Sequence, residues 1–331
     1  MTILITGGAG YIGSCTTLKI LQTLDTKCIV VDKQETSNLQ KLLISFPNKI
    51  VFYKLNMCDL TSLEEVFKNY KIKSIIHFAA YTIVSESEKQ VYEYLSNNIN
   101  STLNLVELMV KYNVENLIFS SSASVYGNAK YVPIDEEHPT EPQSTYALSK
   151  KICEQIIQKY SSKGIKFITL RYFNPAGCIE NLGEEHDPET HLIPILIKSI
   201  LEGKTFKIFG NNFPTKDGTC IRDFIHIEDL VNAHIISLEK LINNEKINEI
   251  YNVGINKGYS VMDVLNKSLE ILKKDTNKNF NFIFSEPREG DVPILVANSN
   301  KIQKHLGFKP RYDLEDIIYS VWKYEKQKIS I

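Results

Sequence analysis

The sequence predicts an α/β chain built on a doubly wound parallel sheet, followed by a smaller C-terminal α/β domain. Three observations support this fold class. A β-favouring run at Thr2–Thr6 leads into Gly7, Gly10 and Gly13 and then into a helical pattern. Short apolar strands and amphipathic helices then alternate as far as residue 170, which is typical of a parallel sheet with helices on both faces. Small and polar residues follow several strands, at the edge where such sheets bind ligands.

The glycines separate the first strand from the first helix. Gly7 lets the chain turn sharply, Gly10 lets the backbone approach a pyrophosphate, and Gly13 lets the helix lie close to its strand. The helix N-terminus then points at the phosphates. A second strand ends in Asp32, 19 residues after Gly13, where a carboxylate is expected to meet the adenosine ribose. This context favours a Rossmann-type dinucleotide site over ordinary turns.

The length, composition and net charge are those of an ordinary globular protein. Its 331 residues are 43% hydrophobic and 23% charged, enough for two modest domains or one large domain with an appendage. The formal net charge of −1 lacks the basic excess of a nucleic-acid-binding surface, so no nucleic-acid partner is expected.

Six cysteines are scattered without a close-spaced pair, which indicates reduced thiols and neither a disulfide framework nor a zinc site; no metal is expected. Met1 leads directly into the first strand, and no apolar run approaches the length of a membrane span. We therefore expect a cytoplasmic location and no membrane contact.

After Asp32 the pattern predicts further strands and helices in alternation. They are a helix over 39–46, a strand over 50–53, a helix from 61, a strand over 72–78, a helix over 91–112, a strand over 116–120, a helix over 146–160 and a strand over 166–170. In the helix over 146–160, apolar residues at helical spacing are expected to form the buried face. They are Leu148, Ile152, Ile156 and Tyr160.

From Asn174 onward the alternation becomes irregular and rich in loops, so we place a domain boundary near residue 180. Residues 1–180 are expected to bind the dinucleotide and residues 181–331 the substrate. A helix is expected over 192–201, and the segment 227–253, a helix followed by a strand, is a candidate to return to the first sheet.

Tyr146 and Lys150 lie one turn apart on one helix face. A free tyrosine has a pKa near ~10, and a lysine cation one turn away would lower it by stabilising the phenolate. Tyr146 would then be a base suited to taking a hydroxyl proton. By spacing alone, two surface side chains sharing a face are the commoner explanation. Ser122, at the end of the preceding strand, can reach the same hydroxyl and favours the catalytic interpretation.

Together the glycine triplet, Ser122, Tyr146 and Lys150 resemble the extended short-chain dehydrogenase/reductase family, and the resemblance runs nearly end to end. Within that family, further motifs are similar to the UDP-glucose 4-epimerases. They are Tyr11-Ile12-Gly13-Ser14, Ser121-Ser122-Ala123-Ser124-Val125-Tyr126-Gly127, Tyr172-Phe173-Asn174-Pro175, Asp217-Gly218-Thr219-x-x-Arg222-Asp223 and Arg288-Glu289-Gly290-Asp291.

The resemblance implies a mechanism in which Tyr146 removes the proton of the sugar 4-hydroxyl while carbon 4 passes its hydride to bound NAD. The flat 4-keto sugar turns over and takes the hydride back on its other face. This interconverts UDP-glucose and UDP-galactose, a reaction of galactose metabolism. Lys150 would hold the nicotinamide ribose and tune Tyr146, and Ser122 would hold the 4-oxygen.

By the same resemblance, two sets of residues line the site. NAD is expected against Gly7, Gly10, Tyr11, Ile12, Gly13, Asp32, Asp59, Leu60, Phe78, Ala79, Asn97, Lys150 and Tyr172. The UDP-hexose is expected against Ser122, Tyr146, Asn174, His191, Leu192, Arg222, Arg288, Asp291 and Leu295. The arginines suit a diphosphate, which favours planar, permanently charged donors.

The family commonly forms homodimers by pairing two helices of each subunit, which correspond here to about 97–112 and 146–160. A homodimer is therefore expected. Leu105, Leu108 and Ile156 are candidates for the contact, although packing against the sheet explains them equally well.

Four positions depart from relatives. Cys15 stands where many carry His, and Thr82 replaces a lysine found near the cofactor in some. Lys33 favours a 2′-phosphate, but the neighbouring Asp32 would repel that group, so NAD is expected rather than NADP. Leu295 occupies a position that is Tyr or Cys in relatives and bears on substrate size.

Other activities of the family share part of this motif pattern. A sugar 4,6-dehydratase carries Asp-Glu directly after its Ser/Thr, whereas this chain has Ala123 and Ser124. A 4-epimerase of UDP-N-acetylglucosamine, UDP-glucuronate or UDP-arabinose would share every catalytic residue. A non-catalytic NAD-binding protein typically lacks the tyrosine or the lysine, and both are present.

Overall fold

The computed structural model describes residues 1–186, 189–243, 245, 247–272, 280–288 and 290–329. The strands are β1 (Thr2–Thr6), β2 (Lys27–Asp32), β3 (Ile50–Lys54), β4 (Ser74–His77), β5 (Asn116–Ser122), β6 (Lys166–Tyr172), β7 (Asn174–Ala176), β8 (Phe206–Phe209), β9 (Ile221–Arg222), β10 (Phe224–His226), β11 (Asn248–Val253), β12 (Tyr259–Ser260), β13 (Phe282–Ser285) and β14 (Ile294–Leu295).

The helices are α1 (Tyr11–Thr23), α2 (Ser37–Ser45), α3 (Leu60–Asn69), α4 (Val84–Ser87), α5 (Val91–Lys111), α6 (Thr145–Tyr160), α7 (Leu192–Glu202), α8 (Ile227–Ile242), α9 (Val261–Leu272), α10 (Asn300–Leu306) and α11 (Leu314–Ile329). In the described part of the chain, no helix combines the length and the apolar character needed to cross a membrane.

Seven parallel strands form the central sheet in the order β11-β6-β5-β4-β1-β2-β3. The order reverses between β1 and β4, and the carboxyl ends of neighbouring strands open a crevice at such a point. The predicted fold class is confirmed. Strand β11 lies at the edge of this sheet beside β6, so the segment after α8 is part of it. The division into two domains near residue 180 stays a prediction.

The strands are apolar on both faces because helices cover both. In β1, Ile3 and Ile5 face a core that includes residues of α1, α2, α8 and α10, while Leu4 faces a core that includes residues of α3, α5 and α6. This alternation follows the two-residue period of a strand. A buried parallel sheet therefore appears in the sequence as short continuous apolar runs.

Several helices begin at polar side chains that accept a hydrogen bond from the first turn. The Thr36 hydroxyl accepts from Leu39 N before α2, the Asp59 carboxylate from Ser62 N before α3, and the Ser144 hydroxyl from Ala147 N before α6. Such caps satisfy main-chain donors that have no partner within the helix.

The C-terminal part has a separate core formed by α7, α9 and α11 against short strands. Its small sheets are β7 with β10, β8 with β13, and β12-β9-β14. Strands β9 and β14 bring Arg222 beside Leu295, which places two of the predicted substrate residues together.

The predicted buried face of α6 is wrong. Leu148 is 42% exposed, and Ile152, Ile156 and Tyr160 are only half-buried. The helix instead buries Tyr146, Ala147, Ser149, Lys150, Cys153, Glu154 and Ile157. Small and polar side chains face inward because α6 lies close to α5, where Asn98 Nδ2 donates to Ser149 Oγ at 2.9 Å. The same core contains Leu105 and Leu108, so these two residues pack against the sheet and are not available for a subunit contact.

Candidate active site

A large cavity opens at the carboxyl ends of the central strands. Its volume is about 1210 Å³, more than the ~300–1,000 Å³ of a site for one small ligand. Every predicted site residue lines it except Asp59 and Leu60. The lining residues predicted for the cofactor are Gly7, Gly10, Tyr11, Ile12, Gly13, Asp32, Phe78, Ala79, Asn97, Lys150 and Tyr172. Those predicted for the substrate are Ser122, Tyr146, Asn174, His191, Leu192, Arg222, Arg288, Asp291 and Leu295.

Asp59 and Leu60 lie just outside this lining. The Asp59 carboxylate accepts from Ser62 N at 3.2 Å and from Ser62 Oγ at 2.5 Å, so it serves as the cap of α3. Leu60 is 46% exposed. Neither residue is among those that form the cavity wall, and their cofactor contact stays a prediction.

The glycine turn has no room for side chains. Gly7 has a φ of +68°, and a Cβ there would stand 2.6 Å from Ala79 N. A Cβ on Gly13 would stand 2.3 Å from the Gly7 carbonyl oxygen. The turn therefore brings bare backbone to the start of α1, which is the arrangement that accepts a phosphate.

Asp32 closes the far side of this turn. Its carboxylate accepts hydrogen bonds from Ala9 N at 3.1 Å and from Gln34 N at 3.2 Å. Burial raises its pKa although these backbone donors oppose the shift. Beside it, Lys33 Nζ donates to Asn97 Oδ1 at 2.5 Å and lies 4.7 Å from the centre of the Tyr81 ring.

Tyr146 and Lys150 share a buried wall with Ser122. Tyr146 is 9% exposed and Lys150 only 2%. The Lys150 ammonium donates to the Ser120 main-chain oxygen at 2.7 Å and lies 6.0 Å from the centre of the Tyr146 ring. The Ser122 hydroxyl accepts from Ser124 N at 3.2 Å. All of these groups meet at the end of β5.

The predicted lowering of the tyrosine pKa is wrong for the chain by itself. Burial raises the pKa of Tyr146 to about 12, and the Ser122 side chain opposes that shift. Burial also lowers the pKa of Lys150 to about 8, against the charges of Cys153 and Glu154. Desolvation is the largest cause of both shifts, because both groups are deeply buried.

The substrate side carries two arginines in different settings. Arg222 Nη1 donates to the Val292 main-chain oxygen at 2.7 Å, and Nη2 lies 3.5 Å from Asp291 Oδ1. The exposed Arg288 guanidinium sits 4.2 Å from the centre of the Phe209 ring. Arg222 is held in place, whereas Arg288 presents its charge over an aromatic face.

His191 ends the loop that leads into α7. Its Nδ1 lies 2.8 Å from Glu189 Oε1 and 3.2 Å from Glu184 Oε1. Burial disfavours the charged imidazole, but the hydrogen bond with Glu189 and the charge of Glu184 prevail and raise the pKa of His191. Leu192, the first residue of α7, lines the cavity beside it.

Other predicted residues are fixed by buried contacts. The Tyr11 hydroxyl donates to the Gly177 main-chain oxygen at 2.5 Å. The Tyr172 hydroxyl lies 2.5 Å from His234 Nε2, and the Phe78 ring packs 5.0 Å from the His234 ring. Asn174 Nδ2 donates to the Asp223 main-chain oxygen at 3.2 Å.

Comparison with known proteins agrees with this arrangement. The model of the NAD dependent epimerase/dehydratase family matches residues 3–254, the stretch that carries the glycine turn, Ser122, Tyr146 and Lys150. The chain belongs to this family.

Relatives within the family match along nearly the whole chain. The UDP-glucose 4-epimerase of Halalkalibacterium halodurans is 38% identical over 99% of this chain and 96% of its own length. The UDP-glucose 4-epimerase of Bifidobacterium longum, solved with NAD⁺ and UDP, has a TM-score of 0.91 and 32% identity over 99% of both chains. The UDP-Glc/GlcNAc 4-epimerase of Campylobacter jejuni has a TM-score of 0.82 and 34% identity over 98% of this chain and 99% of its own.

The sequence analysis missed several supporting groups of this family member. No side-chain pattern could reveal the Ser120 main-chain oxygen that holds Lys150. The buried partners Glu154 and Arg171 stand 2.7 Å apart; Glu154 could have been found, since it follows Lys150 at the helical spacing of four. Phe209 under Arg288 comes from a distant strand and gave no local signal.

Proposed function

We propose that the chain interconverts UDP-glucose and UDP-galactose by transient oxidation at carbon 4, using bound NAD. The observation that carries this proposal is the position of Tyr146, Lys150 and Ser122. They lie on one wall of a cavity that also includes the glycine turn and the two arginines. The relatives named as UDP-glucose 4-epimerases support the same reaction.

The cofactor side fits a dinucleotide. The bare turn at Gly7 and Gly13 leaves space for a pyrophosphate at the start of α1. Asp32 would hold the adenosine ribose hydroxyls, and Lys150 the nicotinamide ribose. NAD, when bound, supplies the acceptor that takes the hydride from carbon 4 and gives it back. The charge of Asp32 disfavours the 2′-phosphate of NADP at this position.

This chain's own residues would handle the protons and orient the sugar. Tyr146 takes the 4-hydroxyl proton and later returns it, while Ser122 holds the 4-oxygen by a hydrogen bond. A cation against the buried Tyr146 is needed to bring its pKa down from about 12, and Lys150 is placed to supply part of that charge. Arg222 and Arg288 would bind the diphosphate and keep the nucleotide fixed while the sugar turns.

A second candidate substrate is the N-acetylated UDP-hexose. Leu295 lines the cavity and packs beside a cluster that includes Ala123 and Phe173. It is smaller than a tyrosine, which leaves more room beside the sugar. A structural neighbour is named for action on both UDP-Glc and UDP-GlcNAc.

We further propose that the protein acts in galactose metabolism, in the cytoplasm, and as a homodimer. All six cysteines are free, which suits a reducing compartment. For the dimer, the support is a half-exposed apolar stripe on α6 with a second one on α5. The α6 residues are Leu148, Ile152 and Ile156, and the α5 residues are Leu95, Ile99 and Leu103.

The test is a conversion assay on the desalted protein without added cofactor. We expect UDP-galactose to yield UDP-glucose, and denaturation of the same sample to release NAD. Tyr146→Phe is the matched control, because it removes one hydroxyl. A 4-keto-6-deoxy sugar product would point to a dehydratase, and absence of any conversion by a sample that retains NAD would contradict the proposal.

A further inference from the structure

A nearly buried carboxylate in the loop before α7 has no lysine or arginine partner among the described residues. Glu184 is 9% exposed. The basic atoms within ion-pair distance of it, in the described part of the chain, are Nδ1 of His186 at 3.1 Å and Nδ1 of His191 at 3.2 Å. Buried carboxylates are costly unless they are paired or bind a metal ion, and the partners of this one are two imidazoles, which are themselves common metal ligands.

Each of these three side chains can offer one ligand atom to a common ion. A carboxylate oxygen of Glu184 and one ring nitrogen each of His186 and His191 lie within 4.8 Å of one another. In a tetrahedral site with bonds of about 2.0–2.2 Å, neighbouring ligand atoms stand about 3.3–3.6 Å apart. The observed 3.1 and 3.2 Å need only small side-chain movements to admit an ion.

We propose that Glu184, His186 and His191 bind a divalent transition-metal ion. Two imidazoles and one carboxylate are a ligand set of zinc sites that keep a fourth position open. Mg²⁺ and Ca²⁺ prefer oxygen ligands, so two imidazoles select against them. The three residues line the large cavity, so an ion that they hold would lie at its wall.

Glu189 supports the site without joining the three ligands. Its Oε1 accepts from Thr190 N and from His191 N, both at 2.8 Å, and lies 2.8 Å from His191 Nδ1. These contacts hold the turn that precedes α7 and set the position of the His191 ring. The contact with Nδ1 uses the nitrogen that would hold the ion, so metal binding would replace it, while the two backbone hydrogen bonds still hold the turn.

The test uses the full chain without a histidine tag, purified without chelator. Metal content is measured by inductively coupled plasma mass spectrometry. The stripped protein is then titrated with Zn²⁺ against a chromophoric chelator, and its Tm is followed. We expect about one Zn²⁺ per chain and a Tm that rises on loading. His186→Gln and Glu184→Gln are expected to lose at least about 100-fold in affinity, and His305→Gln, an exposed histidine outside the cluster, to bind as the parent does.

The comparison of Zn²⁺ affinity between the parent and the variants tests the proposal. Equal Zn²⁺ affinity in the parent and His186→Gln would overturn the proposal, as would equal loss in His186→Gln and His305→Gln. Because the readouts are metal content and Tm, the result is independent of the sugar reaction proposed above. If either cluster variant fails to fold, the other one still gives the comparison.

Discussion

Lys150 and Glu154 lie one turn apart on α6, both buried, and each is tied to the end of β5. The Lys150 ammonium donates to the Ser120 main-chain oxygen at 2.7 Å, and the Glu154 carboxylate accepts from Ser121 Oγ at 2.6 Å. Arg171 of β6 donates to the same carboxylate at 2.7 and 2.9 Å. These bonds fix the strand end that carries Ser122, and the charge of Glu154 also favours the protonated form of Lys150.

Loss of one partner of the buried ion pair between Glu154 and Arg171 should destabilise the fold strongly. Glu154→Leu leaves the Arg171 guanidinium without its counter-charge, and we expect a loss of about 3–5 kcal/mol in the free energy of unfolding. The double variant Glu154→Leu/Arg171→Met should recover most of that loss, because neither charge remains buried. Urea unfolding checks both. If the free energy of unfolding of Glu154→Leu lies within about 1 kcal/mol of the parent's, the ion pair does not contribute this much to stability.

Tyr146→Phe tests the acid–base assignment. The variant removes one hydroxyl from a buried ring, so the fold and the cofactor should be retained while turnover falls about 10²- to 10⁴-fold. Tyr92→Phe is the control, because Tyr92 is 78% exposed on α5 and should turn over normally. Turnover by the Tyr146 variant within a few-fold of the parent would refute the assignment.

The central sheet was predictable because its evidence is local. Each of its signals lies within a short stretch of the chain: the apolar runs, the glycine turn and the strand end at Ser122. The small sheets of the C-terminal part were not predicted, since β7 pairs with β10 and β8 with β13, partners that lie about fifty or more residues apart. The buried face of α6 was wrong because helical spacing identifies an apolar stripe but not the surface that covers it. Here the stripe of Leu148 and Ile152 is the outer one.

Site chemistry was predictable to a similar degree. Side chains that match family motifs could be named, but the environment that sets their pKa could not. The raised pKa of Tyr146 and the lowered pKa of Lys150 follow from burial, which depends on the whole fold. The cluster around Glu184 was not predicted, because the spacing of Glu184, His186 and His191 matches no common metal-binding motif and only the fold brings their side chains together.

Two buried histidines predict that the protein loses stability in mild acid. Burial, with the charge of Lys150, lowers the pKa of His77 from 6.5 to about 3, and burial lowers that of His234 from 6.5 to about 4. Between pH 6.5 and these values the unfolded chain binds protons that the folded chain does not, so stability falls as the pH falls. At pH 5 the loss is about 2 kcal/mol for each histidine.

His77→Phe separates this effect from general acid denaturation. The variant should be less stable than the parent at pH 7.5, since the contacts with Thr6 and Thr102 are lost. Its further loss between pH 7.5 and pH 5 should, however, be about 2 kcal/mol smaller than that of the parent. Urea unfolding at both pH values gives the difference. Equal losses in the two proteins would mean that His77 does not titrate as its burial requires.

The proposed dimer can be tested on the outer stripe of α6. We expect light scattering to give the mass of two chains at micromolar concentration. Ile152→Glu places a charge in the proposed contact and should yield monomers, whereas Lys304→Glu should not, because the exposed Lys304 lies on α10 at the opposite face of the central sheet. A parent protein that is monomeric under these conditions would refute the homodimer.

Substrate breadth should depend on the residue at position 295. Leu295 lies on β14 beside Arg222, and it lines the cavity and packs against the cluster that includes Ala123 and Phe173. A tyrosine there would crowd the 2-position of the hexose, where an N-acetyl group must fit. Because one methylene in a pocket discriminates by only about 1–3 kcal/mol, we expect the parent to favour the plain UDP-hexoses and to act more slowly on UDP-N-acetylglucosamine.

Leu295→Tyr should reduce the rate on the N-acetylated substrate relative to the plain one by about tenfold or more, with Leu295→Met as the control of similar volume. The measurement is the ratio of the two rates in each variant. An unchanged ratio in Leu295→Tyr would mean that neighbouring loops, and not this side chain, set the size of the sugar pocket.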